Sequence, residues 1–529
     1  MESRSQLRFD LIVIAAIFLV ILAVYGNVLG HPFMLEDEQL LSFWSKPFSW
    51  ESFSSCFKSP GQDYTYYRPI PGLFYLSLFS LASGSALYYR MASFLLYAIF
   101  LALTYFFTKE LFRNRYAAVL TVFLFCVHPL NGFYLYSISA SANLIWGILM
   151  LSVLLTHLFY SKGAGKFWCW VSYALTLAAL ATYEMAVTLP GYIFILDMYA
   201  KKSWQEAARK AFSYVVIIVV WQIFRALFVS STKALPGMMA AGASALGLGP
   251  DNYLPTLVVL TGWYFKQLVW PTQVLFAKMI QPIQGNLFIW NVGIIVFIVL
   301  LSVVLLRSNN QRLRLSVLWF LVGLAPMSLA ALIYPSEGIL IEPHWFMVGC
   351  VSFYWGIAWI FQTIRQKFGS LPSVIIFIMV LVMTAVYTQK YNYLWHNQRS
   401  YCLYWLSLEP QQQLPNFWLA TDYLNTNELP KARAYFLRAL TNSSIDWEVY
   451  VNLGTISYKE GKLQEAILWN QKALMLNPKS ADAFNNLGIV AWEQKDGVSA
   501  REFFKKAIAA DPSFYKAADN LKIISAKMQ

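Results

Sequence analysis

From residue 9 to about residue 388, apolar windows of some 20 residues recur between short polar loops, and beyond residue 390 they stop. Each window is long enough to cross roughly 30 Å of hydrocarbon as a helix, which satisfies its own backbone polar groups where water cannot. The pattern therefore predicts an all-α chain with about 11 spans, at 9–29, 86–108, 117–131, 143–160, 167–183, 185–199, 213–231, 288–306, 314–333, 344–362 and 371–388. After residue 390 Lys, Glu, Asn and Gln become frequent, and no window is apolar enough to span. A polytopic membrane unit over 1–390 followed by a water-soluble unit over 391–529 is the expected organisation.

The spans sort the loops into two sets. One set holds Arg4, Arg8, Lys109, Arg113, Arg115, Lys162, Lys166, Lys201, Lys202, Arg209, Lys210, Arg307, Arg312, Arg314, Arg365 and Lys367; the other holds only Lys46, Lys58, Arg68, Lys233 and Lys278. The base-rich side is expected to be cytoplasmic. The stretch 254–271, LPTLVVLTGWYFKQLVWP, does not fit the alternation and is expected to be a re-entrant or surface-lying helix, tolerated at membrane depth where protein or a wet cavity surrounds it. An odd number of spans then leaves the soluble unit and the first loop, 30–68, on the extracytoplasmic face.

The soluble unit repeats. Leu419, Leu453, Leu487 and Leu521 are separated by steps of 34, as are Ala432, Ala466 and Ala500, Ala439, Ala473 and Ala507, and Pro478 and Pro512. A 34-residue period with NLG early, Ala in the middle and Pro at the end is the tetratricopeptide (TPR) signature of stacked antiparallel helix pairs. Repeats are expected at about 413–446, 447–480 and 481–514, with a capping helix from Phe514 and a degenerate unit before them, hinted at by Pro410. Their concave groove suits a protein partner or acceptor.

Composition sharpens this organisation. The chain is 58% hydrophobic and 13% charged, against roughly 25% charged in soluble domains. The net charge of +13 follows from the base-rich loops, so no nucleic-acid partner is expected. The basic start MESRSQLR and the apolar FDLIVIAAIFLVILAVYG look like a signal peptide, but the apolar run exceeds the usual 7 to 15 residues and no small-x-small cleavage site follows, so an uncleaved span is expected. Five cysteines make no disulfide framework: Cys126, Cys169 and Cys350 lie in apolar segments, leaving Cys56 and Cys402 to face an oxidising compartment.

Chemistry points to the end of the first span, where HPFMLEDEQLL sets Glu36, Asp37 and Glu38 in a row. Ionised groups near the low-dielectric zone are costly and mark candidate functional sites. The same predicted side supplies Arg68 in YYRPI, His128 in VHPL, Glu184 in ATYEM, and Glu342 with His344 in IEPHW. Each has a plainer reading: Glu36 and Asp37 as solvated loop charges, Arg68 as an interfacial base, His128 as a hydrogen-bonded helix terminus before Pro129. Acids, bases and aromatic walls in one embedded cavity suit transfer from a lipid-linked donor, one carboxylate deprotonating an acceptor hydroxyl while cationic groups receive the leaving phosphate.

The order of these motifs, ending in TPR repeats, resembles the transmembrane and tetratricopeptide-containing protein O-mannosyltransferases, within the polyprenyl-phosphate-sugar-dependent glycosyltransferases of the GT-C fold. The resemblance covers nearly the whole chain, although each membrane motif alone is weak. It implies a bacterial-type GT-C bundle in which the acidic pair Glu36 and Asp37 activates the acceptor. The family's Tyr-Arg-Pro falls on Tyr67, Arg68 and Pro69, and its Lys-Glu falls on Tyr183 and Glu184. Three family charges fall on Phe133, Ser141 and Asn143 and are absent here. The late acidic motif aligns loosely with Glu342, His344 and Trp345.

The expected activity is transfer of a sugar, mannose by the resemblance, from a polyprenyl phosphate to a hydroxyl acceptor such as a protein Ser or Thr, outside the inner membrane. Asp37 is expected as general base, with Glu36 orienting it or binding a cation. Arg68, His128, Glu184, Glu342 and His344 are expected around the donor. No metal or other cofactor is required by these residues, although acid pairs in related oligosaccharyltransferases bind divalent cations. Two rivals keep the architecture: a GT-C enzyme transferring a whole oligosaccharide or modifying lipid or polysaccharide, and a non-catalytic membrane scaffold whose repeats recruit an envelope-assembly partner.

Overall fold

The computed structural model describes residues 4–44, 48–57, 67–82, 84–228, 250–271, 273, 275, 278–280, 287–330, 339–440, 446–511 and 514–527. Lys46, Lys58, Lys233 and Pro512 lie outside the described residues, as do the side chains of Glu38 and Lys278. The chain divides into two compact units, Met1–Asn397 and Gln398–Gln529.

In the first unit, helices α1 (Arg4–Tyr25), α5 (Ala86–Phe112), α6 (Arg115–Val127) and α8 (Ser141–Ser161) pack on one another and on α15 (Met347–Phe368) and α16 (Ser370–Leu394). Helix α1 shows why. Asp10, Val13, Ile17, Ile21 and Val24 recur at helical spacing and are buried, whereas Ile12 and Leu19 on other faces are 65% and 64% exposed. A helix apolar on every side but buried on only one is suited to lipid. Six described helices are long and apolar enough to cross a bilayer, or seven if the pair Arg115–Val127 and Pro129–Tyr136, bent by 67°, forms one span.

Helices occupy all eleven expected positions, but not all at spanning length. Helix α9 (Lys166–Leu180) has 15 residues and α10 (Leu189–Tyr199) has 11, about 22 and 17 Å at 1.5 Å per residue against roughly 30 Å of hydrocarbon. The polar turn at Glu184 interrupts what would otherwise be one long apolar run. Helix α14 (Gln311–Ala330) crosses α15 so closely that a Cβ on Gly323 would lie 2.6 Å from the Gly349 Cα. Small residues of this kind let helices approach within a membrane bundle. The stretch 254–271 lies largely in a 20-residue helix, α12 (Pro250–Val269). The purely helical expectation is modified by two three-residue strands, Lys278–Ile280 and Ile339–Ile341, paired antiparallel with Met279 opposite Leu340. Between helices the backbone must find partners elsewhere, and this pairing leads straight into Glu342.

The second unit is a helical repeat. After α17 (Gln398–Leu408), the pairs α18 (Gln413–Asn425) with α19 (Leu429–Arg438), α20 (Trp447–Lys459) with α21 (Leu463–Leu476) and α22 (Ala481–Glu493) with α23 (Gly497–Ala510) pack in succession, and α24 (Tyr515–Lys527) closes the array. Ala432, Ala466, Ala500, Ala439, Ala473 and Ala507, the residues that set the period, have no exposed surface. Cys402 and, in the first unit, Cys56 are buried free thiols rather than exposed ones; as small apolar side chains, both are absorbed into packing.

Candidate functional site

Four 3₁₀ turns are present among the described residues, at Gly26–Gly30, Pro129–Gly132, Glu184–Thr188 and Pro343–Phe346. Each precedes, follows or contains a predicted site residue. Helix breaks release backbone and place polar side chains where a continuous helix would hide both, so this is where the candidate chemistry gathers.

Arg90 organises the first break. It is fully buried in α5, and its Nε donates to the His31 carbonyl at 2.8 Å and its Nη2 to that of Pro32. Its Nη1 donates to the carbonyls of Leu135 and Tyr136 at 3.2 and 3.1 Å. One guanidinium thus joins the loop after α1 to the segment after Pro129. Arg90 was not among the residues singled out from sequence, although a charge within an apolar window was the available signal.

Asp37 makes a second join. Its side chain has no exposed surface; Oδ1 accepts from Ser137 Oγ at 3.2 Å and from the backbone N–H of Ile138 and Ser139 at 2.9 and 3.4 Å, and Oδ2 accepts from Met34 N–H at 3.2 Å. Burial raises its pKa, while Arg90 and the backbone donors pull it down. Four donors leave this carboxylate little capacity to accept a substrate proton, a geometry that suits a structural pin better than the base expected from sequence. Beside it Leu35 sits at φ 57°, a conformation costly for a branched side chain and typical of segments held for function.

Glu36 is different. It is only partly buried, yet burial and then repulsion from Glu342 raise its pKa to about 7; a hydrogen bond from Ser139 pulls it down, Asp37 adds a smaller push upward and Arg68 a smaller pull downward. A carboxyl poised near neutrality is suited to exchanging a proton. The neighbours responsible for the shift are predicted site residues, so Glu36, Asp37, Arg68 and Glu342 share one electrostatic environment.

Arg68 is held on two sides. Its Nε and Nη2 reach Glu184 Oε2 at 3.0 and 2.7 Å, and its guanidinium lies 4.1 Å from the centroid of the Tyr183 ring. Tyr183 is therefore an aromatic platform for the arginine. His344, 7% exposed, contacts Glu342 Oε2 through Nε2 at 2.8 Å, and its ring stacks on Phe133 at 4.9 Å with planes 9° apart. Phe133 thus forms an apolar wall of the histidine.

His128 stands apart. Its Nδ1 accepts from Leu130 N–H at 3.3 Å and its Nε2 lies 3.1 Å from the Leu268 carbonyl, so both ring nitrogens are engaged with backbone. It serves as the hydrogen-bonded helix terminus of the plainer reading rather than as a donor-facing group. Ser141 bonds to Ser93 at 2.8 Å, and Asn143 is buried at 3% exposure. Helix α12 borders the site through Leu268 and through Tyr264, whose hydroxyl donates to the Glu342 carbonyl at 2.7 Å. Among the described residues no three His, Cys, Asp or Glu side chains form a metal-ligating group.

Comparison with known proteins speaks to the second unit. Residues 454–495 match the family described as TPR repeat. Among solved structures, the crystal structure of MamA shares 23% identity over 25% of this chain and 76% of that one, with a TM-score of 0.23. The first TPR of Spaghetti (RPAP3), bound to an HSP90 peptide, shares 15% identity over 22% of this chain and 94% of that one, with a TM-score of 0.21. The APC/C hetero-tetramer Cut9-Hcn1 shares 14% identity over 89% of this chain and 98% of that one, with a TM-score of 0.27. No curated protein sequence matches the chain. The chain thus joins several apolar helices suited to membranes with a TPR unit, a scaffold for protein interaction.

Proposed function

We propose that the protein is a GT-C-type glycosyltransferase of the inner membrane. It transfers a sugar from a polyprenyl phosphate to a hydroxyl acceptor on the extracytoplasmic face, and its TPR unit recruits a protein acceptor. The observation that carries this reading is Glu36, a carboxyl with a pKa near 7 in the shared environment of Arg68 and Glu342. The base role assigned from sequence to Asp37 passes to Glu36. A Glu36 oxygen takes the proton of the acceptor hydroxyl as the hydroxyl oxygen bonds the sugar's anomeric carbon; the bond from that carbon to the phosphate oxygen breaks, and the phosphate leaves with the electron pair. Arg68, fixed by Glu184 and Tyr183, and His344, fixed by Glu342 and Phe133, stabilise the departing charge.

A specific observation also favours the scaffold reading, since the TPR match is the family evidence on this chain. One comparison separates the two. Membranes carrying Glu36→Gln keep the protein and lose glycan transfer if the enzyme reading holds, with mass spectrometry of periplasmic proteins as the readout. Asp37→Asn instead lowers the amount of folded protein, because an amide presents a donor towards the Met34 or Ile138 N–H. Unchanged glycans with Glu36→Gln at normal protein level overturn the enzyme in favour of the scaffold.

A further inference from the structure

A cleft of about 430 Å³ opens beside the start of α6, lined by Ser5, Gln6 and Phe9 of α1, Arg115, Tyr116 and Val119 of α6, and Arg365 near the end of α15. None of these residues belongs to the site described above. The lining combines two arginines, no carboxylate, hydroxyl and amide groups, and the apolar surfaces of Phe9 and Val119.

Each arginine is oriented. The Arg365 guanidinium lies 4.6 Å from the centroid of the Tyr116 ring, and the Tyr116 hydroxyl bonds to Ser373 at 2.8 Å, which fixes the platform. Arg115 is anchored through Nε to Asp10 Oδ1 at 3.2 Å, and Asp10 Oδ2 meets Lys109 at 2.8 Å. Asp10 therefore holds two bases, Arg115 and Lys109, together beside the cleft. Beyond the cleft, α1 turns Leu11 and Ile12 outward at 57% and 65% exposure. Positive charge at the mouth beside an apolar outer face is the complement of an anionic amphiphile.

We propose that this cleft binds the phosphate of an anionic lipid headgroup, with Arg365 and Arg115 as the phosphate-facing cations and the acyl chains lying along α1. The proposal rests on the membrane reading of the first unit but not on the glycosyltransferase reading. Guanidinium groups suit phosphate because planar paired donors match two of its oxygens. The shared chemistry is a phosphate monoanion, and the lipid source is favoured because the cleft walls are apolar and border a lipid-suited helix.

The test uses the full chain purified in detergent, titrated with phosphatidylglycerol or with phosphatidylcholine of the same acyl chains and followed by native mass spectrometry. Preferential retention of phosphatidylglycerol is expected, weakened roughly fivefold in Arg365→Ala at about 1 kcal/mol per juxtamembrane charge and largely restored in Arg365→Lys. Because Arg365 is exposed, its removal leaves the fold intact, which a melting curve checks. Equal retention of both lipids, or an unchanged preference in Arg365→Ala, overturns the proposal. So does full displacement of the lipid by inorganic phosphate at equal concentration, which would assign the cleft to a free anion. Alkaline carbonate extraction of the membranes tests the underlying reading separately: a chain released into the supernatant removes the membrane premise, whereas an integrated chain with no lipid preference sinks the cleft alone.

Discussion

The two units place their charges in opposite ways. In the first, Arg90, Asp37, Asp10, Lys109 and Asp197 are buried and held by several partners at once. In the second, apart from the buried Asp446, most charges sit nearer the surface, in pairs such as Lys431 with Glu428 at 2.7 Å and Lys506 with Glu502 at 2.7 Å. Where water is excluded, an ion is tolerable only with its hydrogen bonds complete, and removing one partner strands another. Where water is near, the same separation contributes little. Similar distances therefore carry very different consequences, and burial decides between them.

The largest effect expected from this contrast is at Arg90. Arg90→Met leaves four carbonyls without their shared donor and Asp37 without its compensating charge. Loss of about 3–5 kcal/mol is expected, seen as a collapse in yield and melting temperature of the detergent-solubilised protein. A stable variant would remove the distinction between the units.

Next comes Glu36, where function and stability should diverge. Glu36→Gln is expected to lower transfer at least about 100-fold, while transfer by the unaltered protein rises as pH passes through about 7. The sign for stability is opposite. A carboxyl whose pKa rises on folding, here from 4.5 to about 7, contributes stability that is present below the lower value and lost as pH climbs through the upper one. Glu36→Gln should accordingly melt higher than the unaltered protein at pH 8, with the gap closing by pH 5. Melting curves at both values check this, and a variant less stable at pH 8 would contradict the assigned environment.

In the repeat unit the sensitive points are packing contacts. A Cβ on Gly454 would collide with the Asn470 side chain, so Gly454→Val should displace Asn470 and loosen the packing of α20 on α21 at about 1–3 kcal/mol. Limited proteolysis of the full chain would show earlier cleavage after residue 397. The smallest effect belongs to Lys506→Ala, which breaks an exposed pair with 49% and 65% side-chain exposure and should shift stability by only about 0.3–0.5 kcal/mol. A large effect there would mean that the surface pairs resemble the buried ones after all.

Much of this organisation is legible along the chain, and the legible parts share a cause. A 34-residue period and a 20-residue apolar window are local patterns, so helix positions and the TPR repeat follow from neighbours in sequence. Glu184, Arg68, Glu342 and His344 stood out because polar residues at the ends of apolar runs are conspicuous, and all four have charged or hydrogen-bonded partners in one region. His128 stood out on the same ground and proved to be occupied by backbone, because a histidine before proline serves a helix terminus as readily as a substrate. The break at Glu184 was legible, since the expected segments 167–183 and 185–199 part there; the further length that α9 and α10 lose to the turn around Glu184–Thr188 was not.

The sequence by itself determined the helical character, the approximate positions of the apolar helices though not their ends, and the repeat, because these depend on periodicity and composition. The tertiary structure alone decided which of two adjacent acids is pinned and which is poised to titrate. Asp37 is satisfied by donors about 100 residues away at Ser137, Ile138 and Ser139, and the pKa of Glu36 is raised by burial and by Glu342 from a distant segment. A proton affinity is set by desolvation and by the charges folded around a group, and neither quantity exists until the chain has brought those segments together.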